Sequence, residues 1–151
     1  MKALPTIAAV AALIAVSAAG AAEPTAAQKR GWADYAEGIA KTSKKMGELC
    51  GKTFTAAYDQ KSYPAFDPNT DMTRGSCEAG ISSLRDACKD PSLRQGVQAI
   101  STPTCRHSTG NTGIERNGSE LIFNINPKSR SDVKLRSGKS SSWENALFEL
   151  L

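Results

Sequence analysis

Apolar residues recur along the chain at two spacings, one helical and one alternating. Between residues 25 and 50, Trp32, Tyr35, Ala36, Ile39, Met46, Leu49 and Cys50 fall on one helical face. Lys29, Asp34, Glu37, Lys41, Lys44, Lys45 and Glu48 fill the other. Thr25 is placed to cap this helix, and Gly51 to end it in a left-handed turn. Cys77, Ile81, Leu84 and Cys88 follow one another at intervals of four, three and four, which predicts a second helix over 77–88. Asp90 and Pro91 read as the cap and first residue of a short third helix carrying Leu93, Val97 and Ile100. Ser141 with Glu144 three residues on forms a capping box for a final helix over 143–151. Trp143, Ala146, Leu147, Leu150 and Leu151 give that helix an apolar face, so the chain end is expected to dock.

The alternating stretches predict strands. Phe54, Ala56 and Tyr58 share one side of a strand over 53–58, and residues 101–107 read as extended. Residues 59–74 read as a loop, with Tyr63 and Phe66 folded back onto the core. Residues 114–116 and 120–126 flank Asn117-Gly118, which predicts a hairpin with a type I′ turn at those two residues. Leu121, Phe123 and Ile125 form one face of its second strand; Glu120, Ile122 and Asn124 form the other. With 101–107 this makes a meander. Pro127 ends it, and the polar stretch 128–141 is a loop or an edge strand around Val133 and Leu135. The expected fold class is α+β: a small, mainly antiparallel sheet of three to four strands packed against three or four helices and held by two disulfides.

Residues 1–22 read as a cleaved signal peptide, with Lys2 as the positive region, an apolar run over 7–18 and small residues at the cleavage site. The run is too short for a membrane span, which needs about 20 apolar residues. No cysteine follows it, which argues against a lipid anchor. Residues 23–151 are then one exported domain, periplasmic or secreted, in a compartment that permits disulfides.

Four cysteines allow three pairings. If 77–88 is one helix, its two cysteines lie roughly 16 Å apart, whereas a disulfide needs them within about 7 Å. That removes Cys77–Cys88, and with it Cys50–Cys105. Cys50–Cys77 with Cys88–Cys105 and Cys50–Cys88 with Cys77–Cys105 remain; the shorter loops favour the first. These spacings are not those of a zinc site, and His107 is the only histidine.

Charge adds one feature. The chain has 19 lysines and arginines against 15 acidic residues, a net charge of +4. Loss of Lys2 with the signal peptide leaves 18 against 15, or +3, too little to imply a nucleic-acid partner. Arg106, Arg116, Lys128, Arg130, Lys134, Arg136 and Lys139 form a basic strip, opposed only by Glu115, Glu120 and Asp132. Such a strip steers acidic partners: a protein face, an anionic polysaccharide or a lipid headgroup. Asn117-Gly118-Ser119 is also formally a glycosylation sequon.

Catalytic patterns are thin. Asp67, Asn69, Asp71 and Glu78 sit at positions 1, 3, 5 and 12 of a calcium loop, but Met72 stands where that loop needs glycine. Asp59, Asp67, Asp71 and Glu78 form an acidic cluster, the place for a small hydrolase to carry its carboxylates. His107 has only Ser108 beside it, and no nucleophile-elbow motif exists. Gly138-Lys139-Ser140 looks like the end of a phosphate loop, but Val133 replaces the first glycine. No cofactor is expected.

Four stretches, "LCGKTFTAAYD", "CEAGISSLRDAC", "SLRQGVQAISTPTC" and "GSELIFNIN", resemble a group of uncharacterised, small exported bacterial proteins with four cysteines. The resemblance covers about 49–126 and implies the four cysteines, the helix between the central pair and the closing strand; no established activity comes with it. The functional expectation is a non-enzymatic binding protein of the cell envelope or extracellular space, an inhibitor or immunity factor being one form. A carboxylate hydrolase and a calcium-stabilised module are the alternatives.

Overall fold

A computed structural model describes residues 23–62 and 73–151. The signal segment 1–22 and Tyr63, Phe66, Asp67, Asn69 and Asp71 lie outside the described residues.

The chain opens with α1 (Ala26–Cys50). Its start is a capping box: the Thr25 hydroxyl accepts from the Gln28 N–H at 3.2 Å, and the Gln28 side chain accepts from the Thr25 N–H at 2.8 Å. Its end is Gly51, whose φ of 66° closes the last turn without a Cβ penalty. Tyr35, Ile39, Ser43 and Met46 line its buried face. Residues 52–56 then cross the end of a later helix. The short strand β1 (Ala57–Asp59) therefore begins four residues later than the alternation implied. A 3-10 turn (Gln60–Ser62) follows.

The central rod starts earlier than expected and is kinked. α2 (Thr73–Ser82) and α3 (Leu84–Lys89) meet at Ser83. There the Ser83 hydroxyl donates to the Gly80 carbonyl at 2.6 Å, the back-bonding that bends helices. Asp90 serves as the C-cap of α3 rather than an N-cap; its carboxylate accepts from the Ser92 N–H and hydroxyl in an Asx turn. The third helix, α4 (Arg94–Gln98), accordingly starts after Leu93.

Five further strands follow: β2 (Thr102–His107), β3 (Thr112–Asn117), β4 (Glu120–Ile125), β5 (Val133–Lys134) and β6 (Ser140–Ser141). The class is α+β, with antiparallel pairs and two disulfides. The sheet is larger and more mixed than a meander. Its order is β1-β2-β4-β3-β5-β6, and β1–β2, β2–β4 and β3–β5 are parallel. After β2 the chain skips one place to lay β3, and β4 returns into the gap. Turn signals report that two segments are joined closely, not on which side of a third they fall.

The β3–β4 turn is also one residue off. Asn117 pairs with Glu120, so the turn residues are Gly118 and Ser119. Gly118 alone has positive φ, at 60°, as a type II′ turn requires. Asn117 remains in the strand.

α5 (Trp143–Phe148) closes the fold. Its N-cap is Ser142, which accepts from the Asn145 N–H at 3.3 Å. Ser141 is held in β6 opposite Val133 and so cannot cap. The chain end docks: Leu151 packs against the core, and a Cβ on Gly96 would come 2.8 Å from its carbonyl oxygen.

The helices cover one sheet face. Leu121, Phe123 and Ile125 are wholly buried there, together with Cys105, Ile81, Leu84 and Leu147. Each such aliphatic or aromatic side chain contributes about 1.5–3 kcal/mol relative to exposure. On the other face Arg106 reaches Asp59 at 3.3 Å and Glu115 at 4.0 Å.

The disulfides are Cys50–Cys88 and Cys77–Cys105, which corrects the expectation based on shorter loops. That expectation assumed that α1 and the next helix meet end to end. Instead the connecting segment carries the chain back, and α1 and the α2–α3 rod run the same way. Mid-helix Gly38 lies beside Arg74 at the start of α2, with 3.0 Å from its Cβ position to Arg74 Cδ. The far end of α1 therefore meets the far end of α3, where Cys88 waits. Cys77 points to the sheet and meets β2.

Candidate functional site

A wide concavity among the described residues is built by strand mismatch. β5 has two residues and pairs only with Thr112 and Gly113 of β3. Beyond Gly113 the outer edge of β3 has no strand beside it. The chain leaves that edge at Leu135 through a tight turn, in which the Leu135 N–H bonds to the Lys139 carbonyl at 3.0 Å and Gly138 has φ 80°. The result is a groove of about 740 Å³. β3 from Thr112 to Arg116 forms its floor, with Leu135, Arg136 and Leu150 on the far wall.

The groove is basic. Arg116, Lys134 and Arg136 line it against a single carboxylate, Glu115, and Glu115 is turned toward Arg106 at 4.0 Å. Among the described residues neither Arg116 nor Arg136 enters an ion pair. Arg116 Nε donates to the Gly118 carbonyl at 3.0 Å, which aims the guanidinium along the hairpin end. The Arg136 N–H is held by the Glu149 carboxylate at 3.0 Å. Lys134 is partly neutralised, with its Nζ 2.9 Å from Asp132 and 2.6 Å from the Ser140 hydroxyl. The Ser140 hydroxyl, and after it Lys134, hold the Asp132 carboxyl below the ordinary carboxylate range. Guanidinium groups present forked donors that match carboxylates and phosphates. The groove can hold an anion.

Three of the seven residues of the basic strip thus come together. Arg106 is engaged with Asp59 on the far face of the sheet. Lys128 and Lys139 are exposed. Arg130 lines a different hollow, between α2 and Trp143. Asn111, Thr112, Ile114 and Leu150 line the groove as well and were not named as site residues from the sequence; only the apolar pair Val133 and Leu135 pointed to an edge here.

The other candidates stand apart. Asp67, Asn69 and Asp71, which carry the calcium pattern and most of the acidic cluster, lie outside the described residues. Glu78 is 3.5 Å from Arg74, one turn away on α2, and Asp59 is paired with Arg106. The His107 N–H donates to the Ser62 hydroxyl at 2.8 Å. Among the described residues no group of three or more His, Cys, Asp or Glu side chains is arranged to hold a metal, and no helix is long and apolar enough to cross a membrane.

No family model, curated protein or solved structure matches the chain. The fold and groove define its class: a disulfide-linked α+β domain with a basic cleft at an open sheet edge.

Proposed function

We propose that this is an exported, non-enzymatic binding protein of the cell envelope or extracellular space, which holds an acidic protein partner in the groove at β3. Inhibition of that partner, or immunity to it, is the form this would take. The convergence of Arg116, Lys134 and Arg136 on one open edge carries the reading. Two disulfides support export, since such bonds persist in oxidising compartments. The apolar segment at 7–18 and the resemblance to small exported four-cysteine proteins point the same way.

Binding of labelled acidic and basic peptides of equal length tests it. The acidic peptide should bind, with affinity falling as salt rises. Charge reversal at Arg116, Lys134 and Arg136 should weaken it at least about tenfold, a loss of about 1.4 kcal/mol. Reversal at Lys128, Arg130 and Lys139 should leave it nearly unchanged. Equal loss in both variants would reduce the strip to a diffuse field and remove the groove from the account.

A further inference from the structure

The groove floor is a strand edge, and that narrows the shape of its ligand. In a two-residue hairpin the closing pair exchanges both hydrogen bonds, and the pairs then alternate along the ladder. Asn117 and Glu120 close this hairpin. Asn117, Glu115 and Gly113 therefore turn their main-chain groups toward β4, while Arg116, Ile114 and Thr112 turn theirs outward. At its register with Thr112 and Gly113, β5 takes up the Thr112 groups and, through the Lys134 carbonyl, the Ile114 N–H. The outward groups nearer the hairpin face the groove.

Unpaired edges invite another strand, and proteins commonly blunt them with charge or with a covering loop. Here the covering chain turns away at Leu135, and the charge present is arranged on both sides of the edge. Alternation along β3, with the register of Gly113 opposite Lys134, puts Arg116 on the helix-facing side and Lys134 on the opposite side. A strand laid along this edge would point successive side chains to alternate faces. It would meet a cation on each.

We infer that the groove takes its acidic partner by strand addition: an extended acidic segment pairs its backbone with the open edge of β3. This rests on the acidic-partner reading above and adds to it the conformation of the ligand. Main-chain hydrogen bonds would supply affinity, and Arg116, Lys134 and Arg136 the preference for acidic side chains. The open stretch runs from the Ile114 carbonyl to Arg116 and accommodates about three residues at about 3.3 Å each, so the contact is short and its affinity modest.

N-methylated peptides separate this from simple charge attraction. The probe is a peptide of about ten residues in which pairs of glutamates alternate with pairs of valines, so that acidic side chains fall on both faces, a length within the ordinary range of strands. One version is methylated at every second amide, a second at the intervening amides. Strand addition uses only one edge of the ligand, so one version should lose binding at least about tenfold and the other should bind like the parent. Equal binding by all three would overturn strand addition and leave acidic recognition standing. Failure of the unmethylated peptide to bind would overturn both. Polyphosphate is the third arm: if it binds as tightly as the peptide and displaces it, the site reads charge alone and strand addition falls. Hydrogen exchange gives an independent readout, with slowed exchange expected at the Arg116 amide on binding and no change there counting against the mode.

Discussion

The ring of Phe123 occupies the space a side chain on Gly80 would need: a Cβ on Gly80 would lie 2.5 Å from Phe123 Cδ1 and 2.9 Å from Cε1. This contact sets the seating of the central rod on the sheet. Cys77 lies almost one turn before Gly80, and Cys105 is the sheet neighbour of Phe123. The contact between Gly80 and Phe123 therefore brings Cys77 over Cys105. The strand bearing Phe123 is also the one that positions β3 and its groove.

Gly80→Ala should destabilise the fold by about 1–3 kcal/mol, the usual cost of overpacking a core, because the Phe123 ring is wholly buried and has little room to give. Phe123→Leu should cost stability by itself. The double variant should lose less than the two single losses added, since the smaller side chain relieves the clash. Chemical denaturation of the four proteins checks this; simple additivity would mean that the ring moves aside freely.

The covalent map has a direct readout. In a non-reduced tryptic digest, fragment 46–52 should be joined to 86–89, and fragment 75–85 to 95–106. The pairing with shorter loops would instead join 46–52 to 75–85. Closing loops of 38 and 28 residues, each bridge should contribute roughly 4 kcal/mol by the chain-entropy argument. Reduction should therefore lower the melting temperature sharply, as expected when a domain's whole stability is about 5–15 kcal/mol.

The helices were legible in the sequence because their signals are local: the period of Tyr35, Ile39 and Met46, the cap at Thr25 and the stop at Gly51 each act within a turn or two. The exclusion of Cys77–Cys88 was legible for the same reason. What remained hidden was set by long-range placement. The direction of α2 relative to α1 is set by where the chain is returned after β1, which no local signal encodes, and that direction decides which cysteine Cys50 meets. The insertion of β4 between β2 and β3 likewise leaves no trace in turn chemistry. The basic strip was visible as a charge excess. Its sorting into Arg116, Lys134 and Arg136 on one side and Arg106, Lys128, Arg130 and Lys139 on the other depends on β5 stopping after Lys134. The stopping point follows from the Leu135–Lys139 turn, not from the hydrophobic pattern.

Lys52 closes the end of α4. Its ammonium donates to the carbonyls of Val97 at 3.3 Å and Gln98 at 2.8 Å, and also to that of Ile100. It lies 5.1 Å above the Phe54 ring. Burial pulls its pKa below the ordinary lysine value, while the carbonyl acceptors favour the charged form. Lys52→Met keeps the apolar stem and strands these carbonyls, so it should cost about 1–3 kcal/mol. Lys52→Arg, which retains donors, should cost less. If the Met variant were as stable as the parent, water would be satisfying the carbonyls equally well.

The β5–β6 clip beside the groove should respond to acid. Asp132 sits between Ser140 and Lys134, and their hydrogen bonds hold its carboxyl below the ordinary range. A depressed folded-state pKa means that the clip's contribution is fully present above the unfolded-state value of about 3.9 and is lost as pH falls through the folded-state value. Amide exchange at Val133 and Ser141 should therefore stay slow from neutral pH down to about 4 and accelerate below it, after correction for the intrinsic pH dependence of exchange. Asp132→Asn removes the charge at every pH. That variant should show the faster exchange already at neutral pH and lose the acid transition. It should also strengthen acidic-peptide binding, because Lys134 would no longer be neutralised from its own loop. An acid transition unchanged in the variant would assign it to another carboxylate.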